Sequence, residues 1–176
     1  MKYLIMVSFI SLFSTQILAQ DCLYEINEVD AFDNEFEKLT EAIVIAQKVK
    51  RASALPLRKV MAQFRQVGEK RYFVLKFPVT MIVSPTFSDK STRNHLVLLL
   101  ENKEKIKLPL AKLMRNQDDK IEFRYATDFL LKAEQLSLLK EHKITDIRVG
   151  MKKNSFDMHL REGAGALLID ALNCVE

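Results

Sequence analysis

Tryptophan is absent from this chain, and glycine and proline occur only four times each. So little glycine leaves no Gly-rich phosphate loop, and there is no Gly-x-Ser-x-Gly nucleophile elbow. Without tryptophan, the Gly-x-Trp signature of lipocalin barrels is missing too. Histidine occurs three times, as His95, His142 and His159, and none has a second His or Cys at zinc-ligand spacing. Neither a metal nor a cofactor is expected. No repeat, low-complexity stretch or Gly/Ser linker divides the chain. After the N-terminal segment, no apolar run approaches the roughly 20 residues a membrane-spanning helix needs.

The first residues have the order of a secretory signal peptide. Lys2 supplies the basic start, an apolar run of about ten residues follows from Leu4 to Phe13, and Ile17-Leu18-Ala19 ends on a small residue. We expect cleavage after Ala19, so that residues 1–19 are removed and residues 20–176 form a single exported domain, periplasmic or extracellular. Lipidation of Cys22 is not expected, because Asp21 stands where a lipoprotein signal needs a small residue. Only two cysteines exist, Cys22 and Cys174. In an oxidising compartment such a pair reads as a disulfide. It would close nearly the whole mature chain, a constraint worth up to about 5 kcal/mol.

Charge is distributed unevenly. Residues 20–41 carry eight acids against Lys38 alone, whereas residues 42–176 carry 25 basic and 15 acidic groups. The simplest account is internal, with the acidic N-terminal segment lying near the basic body. The basic residues are scattered, with no run of five, so a nucleic-acid partner is not expected.

What is abundant is a period of two. From 120 to 131, Ile121, Phe123, Tyr125, Thr127, Phe129 and Leu131 share one face, and Lys120, Glu122, Arg124, Ala126, Asp128 and Leu130 fall on the other. Phe73, Leu75 and Phe77 alternate with Tyr72, Val74 and Lys76, and Gly68-Glu69 joins them to Val60, Ala62 and Phe64 as a hairpin. The unbroken run from Leu96 to Leu100 suggests a strand buried on both faces. Asn102-Lys103-Glu104 turns it into Ile106, Leu108 and Leu110. A further hairpin joins the strand from Ile144 to Met151 with Phe156 to Leu160. Residues 36–49 fit helix or strand, and strand is preferred for 40–49. A short helix is expected over 133–142, with Leu136 and Leu139 inward, and a C-terminal helix over 161–175, with Ala164, Leu168, Leu172 and Val175 on one face. The fold class is therefore α+β: mainly antiparallel sheet of about eight strands, as a sandwich or partial barrel, with one internal and one C-terminal helix.

No constellation points to catalysis, and an enzyme is not the preferred reading. Asp118-Asp119 sit in a polar turn, and Asp30 to Glu35 lack the central glycine of an EF-hand loop. The longest stretch without strand pattern runs from Ser84 to Asn94. Its Ser88, Lys90, Thr92 and Arg93 are the candidate binding residues, since loops carry function disproportionately. The expected role is binding a partner protein or an envelope component; the alternative is carriage of a small apolar ligand, for which the aromatic side chains read as ordinary core.

Three stretches together resemble a loose group of small secreted bacterial proteins. They are the N-terminal stretch from Cys22-Leu23-Tyr24 through Asn27-Glu28-Val29-Asp30-Ala31-Phe32, the hairpin from Leu98 to Leu108, and the run from Glu134 through Ile144-Thr145-Asp146-Ile147-Arg148-Val149 with Cys174 near the end. The resemblance implies an exported domain rich in antiparallel strands and brings no catalytic residues with it.

Overall fold

A computed structural model describes residues 22–31, 34–49, 57–78, 95–115, 123–150 and 155–175. Ten strands form one antiparallel sheet: β1 (Tyr24–Val29), β2 (Phe36–Thr40), β3 (Ile43–Val49), β4 (Leu57–Val67), β5 (Lys70–Pro78), β6 (His95–Leu100), β7 (Lys105–Arg115), β8 (Phe123–Leu131), β9 (Ile144–Gly150) and β10 (Ser155–His159). Helix α1 (Ala133–Glu141) follows β8, and α2 (Ala164–Asn173) follows β10. Across the sheet the order is β1-β2-β4-β5-β8-β7-β6-β9-β10, and β3 also pairs with β4.

The α+β architecture read from the alternation is thus present, with two more strands than the eight expected. The additions are at the N-terminal edge. There acidic residues interleave with Tyr24 and Ile26, which are only half-buried, and the alternation is faint. Residues 40–49 are extended, as preferred, and the extension reaches back to Phe36.

Two irregularities shape the sheet. β2 and β3 share one edge of β4: residues 37–39 lie opposite 65–67, and β3 lies opposite 57–62. In the gap between them the Phe64 N–H has no strand partner, and it donates instead to the buried Thr40 hydroxyl at 3.0 Å. The long strand β7 changes partner along its length. Residues 105–109 pair with β6 and 110–115 with β8, with a register shift between Leu110 and Lys112. A bulge of this kind bends a strand and increases its twist.

The result is an open sheet curled until its ends approach. After β10, the Arg161 N–H donates to the Ile45 carbonyl of β3 at 2.9 Å. Inside the curl, Phe64, Phe73, Phe77 and Phe129 are fully buried, with Phe64 and Phe73 edge to face at 5.3 Å between centroids. Helix α2 packs on β3, β4 and β9 through Ala164, Leu168 and Leu172, with Val175 just beyond it also buried. Gly165 makes this approach possible: a Cβ there would lie 2.8 Å from the Ile144 carbonyl oxygen.

Candidate functional site

Strands β7, β6, β9 and β10 turn their even-numbered residues in β6 and β7 to the core and their odd-numbered ones outward. The continuous apolar run from Leu96 to Leu100 is therefore not buried on both faces. Leu96, Leu98 and Leu100 are fully buried, whereas Val97 and Leu99 are half-buried on the outer face. No layer of described residues covers them as the core covers their neighbours.

Register sets what surrounds them. One row across the outer face reads Lys107, Val97, Arg148, Asp157, and the next reads Lys105, Leu99, Asp146, His159. The last two members of each row are in polar contact, as an ion pair in the first row and as a His–carboxylate hydrogen bond in the second. Arg148 donates to both oxygens of Asp157 at 2.6 Å, a two-pronged contact that suits a planar guanidinium. His159 Nδ1 lies 2.8 Å from Asp146 Oδ1. The hydrogen bonds from Arg148 hold the Asp157 carboxyl below the usual carboxylate range. Partial burial works to raise Asp146, but hydrogen bonds with His159 and Thr145 outweigh it and hold this carboxyl low as well. Lys105 and Lys107 have no ion-pair partner among the described residues. Six of these residues line a groove of about 350 Å³: Val97 and Leu99, with Lys105 on one side and Asp146, Arg148 and Asp157 on the other; Lys107 and His159 stand beside it.

His95 stands directly opposite Gly150 in the β6–β9 ladder, and a side chain at 150 would run into its imidazole. His142, by contrast, caps the C-terminus of α1, where its N–H donates to the Leu138 carbonyl. The three histidines are thus spread over the fold. Among the described residues, no group of three or more His, Cys, Asp or Glu side chains gathers in metal-binding geometry.

A second polar cluster lies on the other half of the sheet. Arg65 of β4 bridges Glu37 of β2 at 2.7 Å and Asp128 of β8 at 2.9 Å. Asp128 is only 1% exposed. Burial lifts its carboxyl above the usual range, although Arg65 and Lys112 pull it down. Gln63 is fully buried, and among the described residues neither its amide atoms nor Asp128 Oδ1 has a hydrogen-bond partner. Alternation assigns Asp128 to an outer face, and nothing in the sequence indicated that this part of the face is buried. The Glu37–Arg65 pair and a Glu25–Lys76 pair at 2.8 Å join the acidic N-terminal segment to the basic body, as the charge distribution suggested.

The residues singled out in the sequence fare unequally. Cys22 and Cys174 form a disulfide with a Cα–Cα distance of 5.6 Å, and the Tyr24 hydroxyl donates to the Cys174 carbonyl at 2.8 Å beside it. Ser88, Lys90, Thr92 and Arg93 lie outside the described residues, as do Asp118-Asp119 and the predicted signal peptide. Of the acidic 30–35 stretch, Asp30, Asn34 and Glu35 shape the β1–β2 connection: the Asp30 N–H donates to the Glu35 carbonyl and the Asn34 N–H to the Asp30 carbonyl. The groove itself went unremarked, although the odd-numbered apolar residues of the Leu96–Leu100 run were its signal. No protein-family model, curated protein or solved structure matches this chain.

Proposed function

We propose that this chain is an exported, non-enzymatic binding domain that engages a partner or an envelope component through the outer face of β7, β6, β9 and β10. One observation carries the reading: two half-buried aliphatic side chains, Val97 and Leu99, lie in a groove on a face otherwise made of charges. Exposed apolar surface rimmed by polar groups marks interaction sites. The ion pairs beside it are already satisfied within the fold, so they can border a bound partner without leaving a charge unpaired.

Export is supported by the Cys22–Cys174 disulfide, which belongs to oxidising compartments. Among the described residues no helix is long and apolar enough to cross a membrane, which is compatible with an exported domain. The desolvated Asp128 does not favour an enzyme: at 1% exposure and clamped by Arg65, it offers no surface to a substrate.

The test is capture from envelope extract by the oxidised protein with residues 20–176, compared with a Val97→Glu/Leu99→Glu variant of matched melting temperature. Components retained by the native protein and lost from the variant are expected. Identical capture by the two would overturn the assignment of the face.

A further inference from the structure

The groove's chemistry narrows its occupant. Its floor is aliphatic, through Val97 and Leu99. Its two carboxylates are already engaged, Asp157 by both prongs of Arg148 and Asp146 by His159. The remaining charge in its lining is Lys105, and Lys107 stands one row along on the same strand, outside the lining; both are exposed, and they lie opposite Leu99 and Val97 in the β6–β7 ladder. A cationic guest would meet two lysines and find no available carboxylate. A neutral apolar guest would leave those lysines unused. An acid with an apolar tail satisfies both parts of the site. The volume of about 350 Å³ lies within the roughly 300–1,000 Å³ of small-molecule sites.

We propose that the groove between β7 and β10 binds a single-chain anionic amphiphile, its carboxylate or phosphate on Lys105 and Lys107 and its aliphatic chain over Val97 and Leu99. The proposal rests on the reading of this face as the binding surface and adds the class of ligand. It commits to a free amphiphile over a membrane surface, because Arg148 in the lining is already paired with Asp157 and Lys105 is the one lining cation left over, whereas a surface of anionic headgroups is held by several basic side chains at about 1 kcal/mol each.

Sodium decanoate, below its micellar range, is the probe. Titration into the isotopically labelled, oxidised protein should shift the amide signals of Val97, Leu99, Lys105 and Arg148 together and saturably. Decyltrimethylammonium should not do so. A Lys105→Glu/Lys107→Glu variant, which leaves the aliphatic floor intact, should bind decanoate at least about tenfold more weakly, since two attractions become repulsions. Equal binding of the cationic and anionic probes would overturn the proposal, as would shifts centred elsewhere. Co-sedimentation with phosphatidylglycerol vesicles at unchanged decanoate response would overturn the choice of a free ligand. If decanoate fails while envelope capture still depends on Val97 and Leu99, this inference falls and the reading of the face stands.

Discussion

Thr40 shows how much can depend on one hydroxyl. It lies where β2 gives way to β3, and its oxygen is the acceptor for the Phe64 N–H in the middle of the core. Thr40→Val keeps the shape and removes the acceptor. Leaving a buried donor unmade costs about 1–3 kcal/mol, so urea melts should show a loss of that size. Asp128 gives a prediction of the opposite character. Its folded-state carboxyl is raised by burial, so the folded protein holds this proton more tightly than the unfolded chain does. By linkage, the group contributes against folding at high pH, and that penalty is relieved as pH falls through its raised value. Asp146 and Asp157, held low, act the other way, and their contribution is lost as pH falls through their depressed values. The facing charges on Asp128 are Arg65 of β4, Glu37 of β2 and Lys112 of β7. Comparing native protein with Asp128→Asn by urea melts across the acid range isolates the first effect. The native protein should gain on the variant as pH is lowered.

Among the elements, α2 is held by contact more than by capping. Its buried side, Ala164, Gly165, Leu168 and Leu172, is set against the curl of the sheet, and no side chain caps its N-terminus. Gly165→Ala would push a methyl group into the Ile144 carbonyl of β9. Overpacking of this kind costs about 1–3 kcal/mol, and the melting temperature should fall accordingly. Helix α1 is secured differently. The Gln135 side chain reaches back to accept the Lys132 N–H at 2.9 Å, relieving one orphan donor of the first turn. Both helices were legible from apolar spacing at 3.6 residues. Strands β4, β5, β7 and β8 were legible from alternate apolar residues, because each has one face against the core, whereas β6 was read from an unbroken apolar run and its expected burial on both faces did not hold. What spacing could not give is which residues of an outer face are covered. Val97 and Leu99 are half-buried and Gln63 and Asp128 fully buried, and each depends on strands remote in sequence.

At the scale of the molecule, the open sheet is tied in two places. One is the backbone bond from Arg161 to Ile45; the other is the disulfide joining Cys22, just before β1, to Cys174 at the end of α2. The pair is separated by 152 residues, so its removal frees nearly the whole chain in the unfolded state. A Cys22→Ser/Cys174→Ser variant should lose up to about 5 kcal/mol in equilibrium unfolding. A loss well under 1 kcal/mol would show that the ends are held by packing instead. Phe73→Ala, which removes the edge-to-face partner of Phe64, should cost about 3–5 kcal/mol in the same measurement.

The sequence by itself determined the alternation, the turns at Gly68-Glu69 and Asn102-Lys103-Glu104, the two helices and the candidate disulfide pair, because each follows from local spacing or from a count of residues. Only the tertiary structure decided the strand order, the bend at β7, the burial of Asp128 and the groove over Val97 and Leu99. These arise from register between strands far apart in the chain, and a one-residue shift in that register would have sent Val97 and Leu99 inward and Leu98 to the surface.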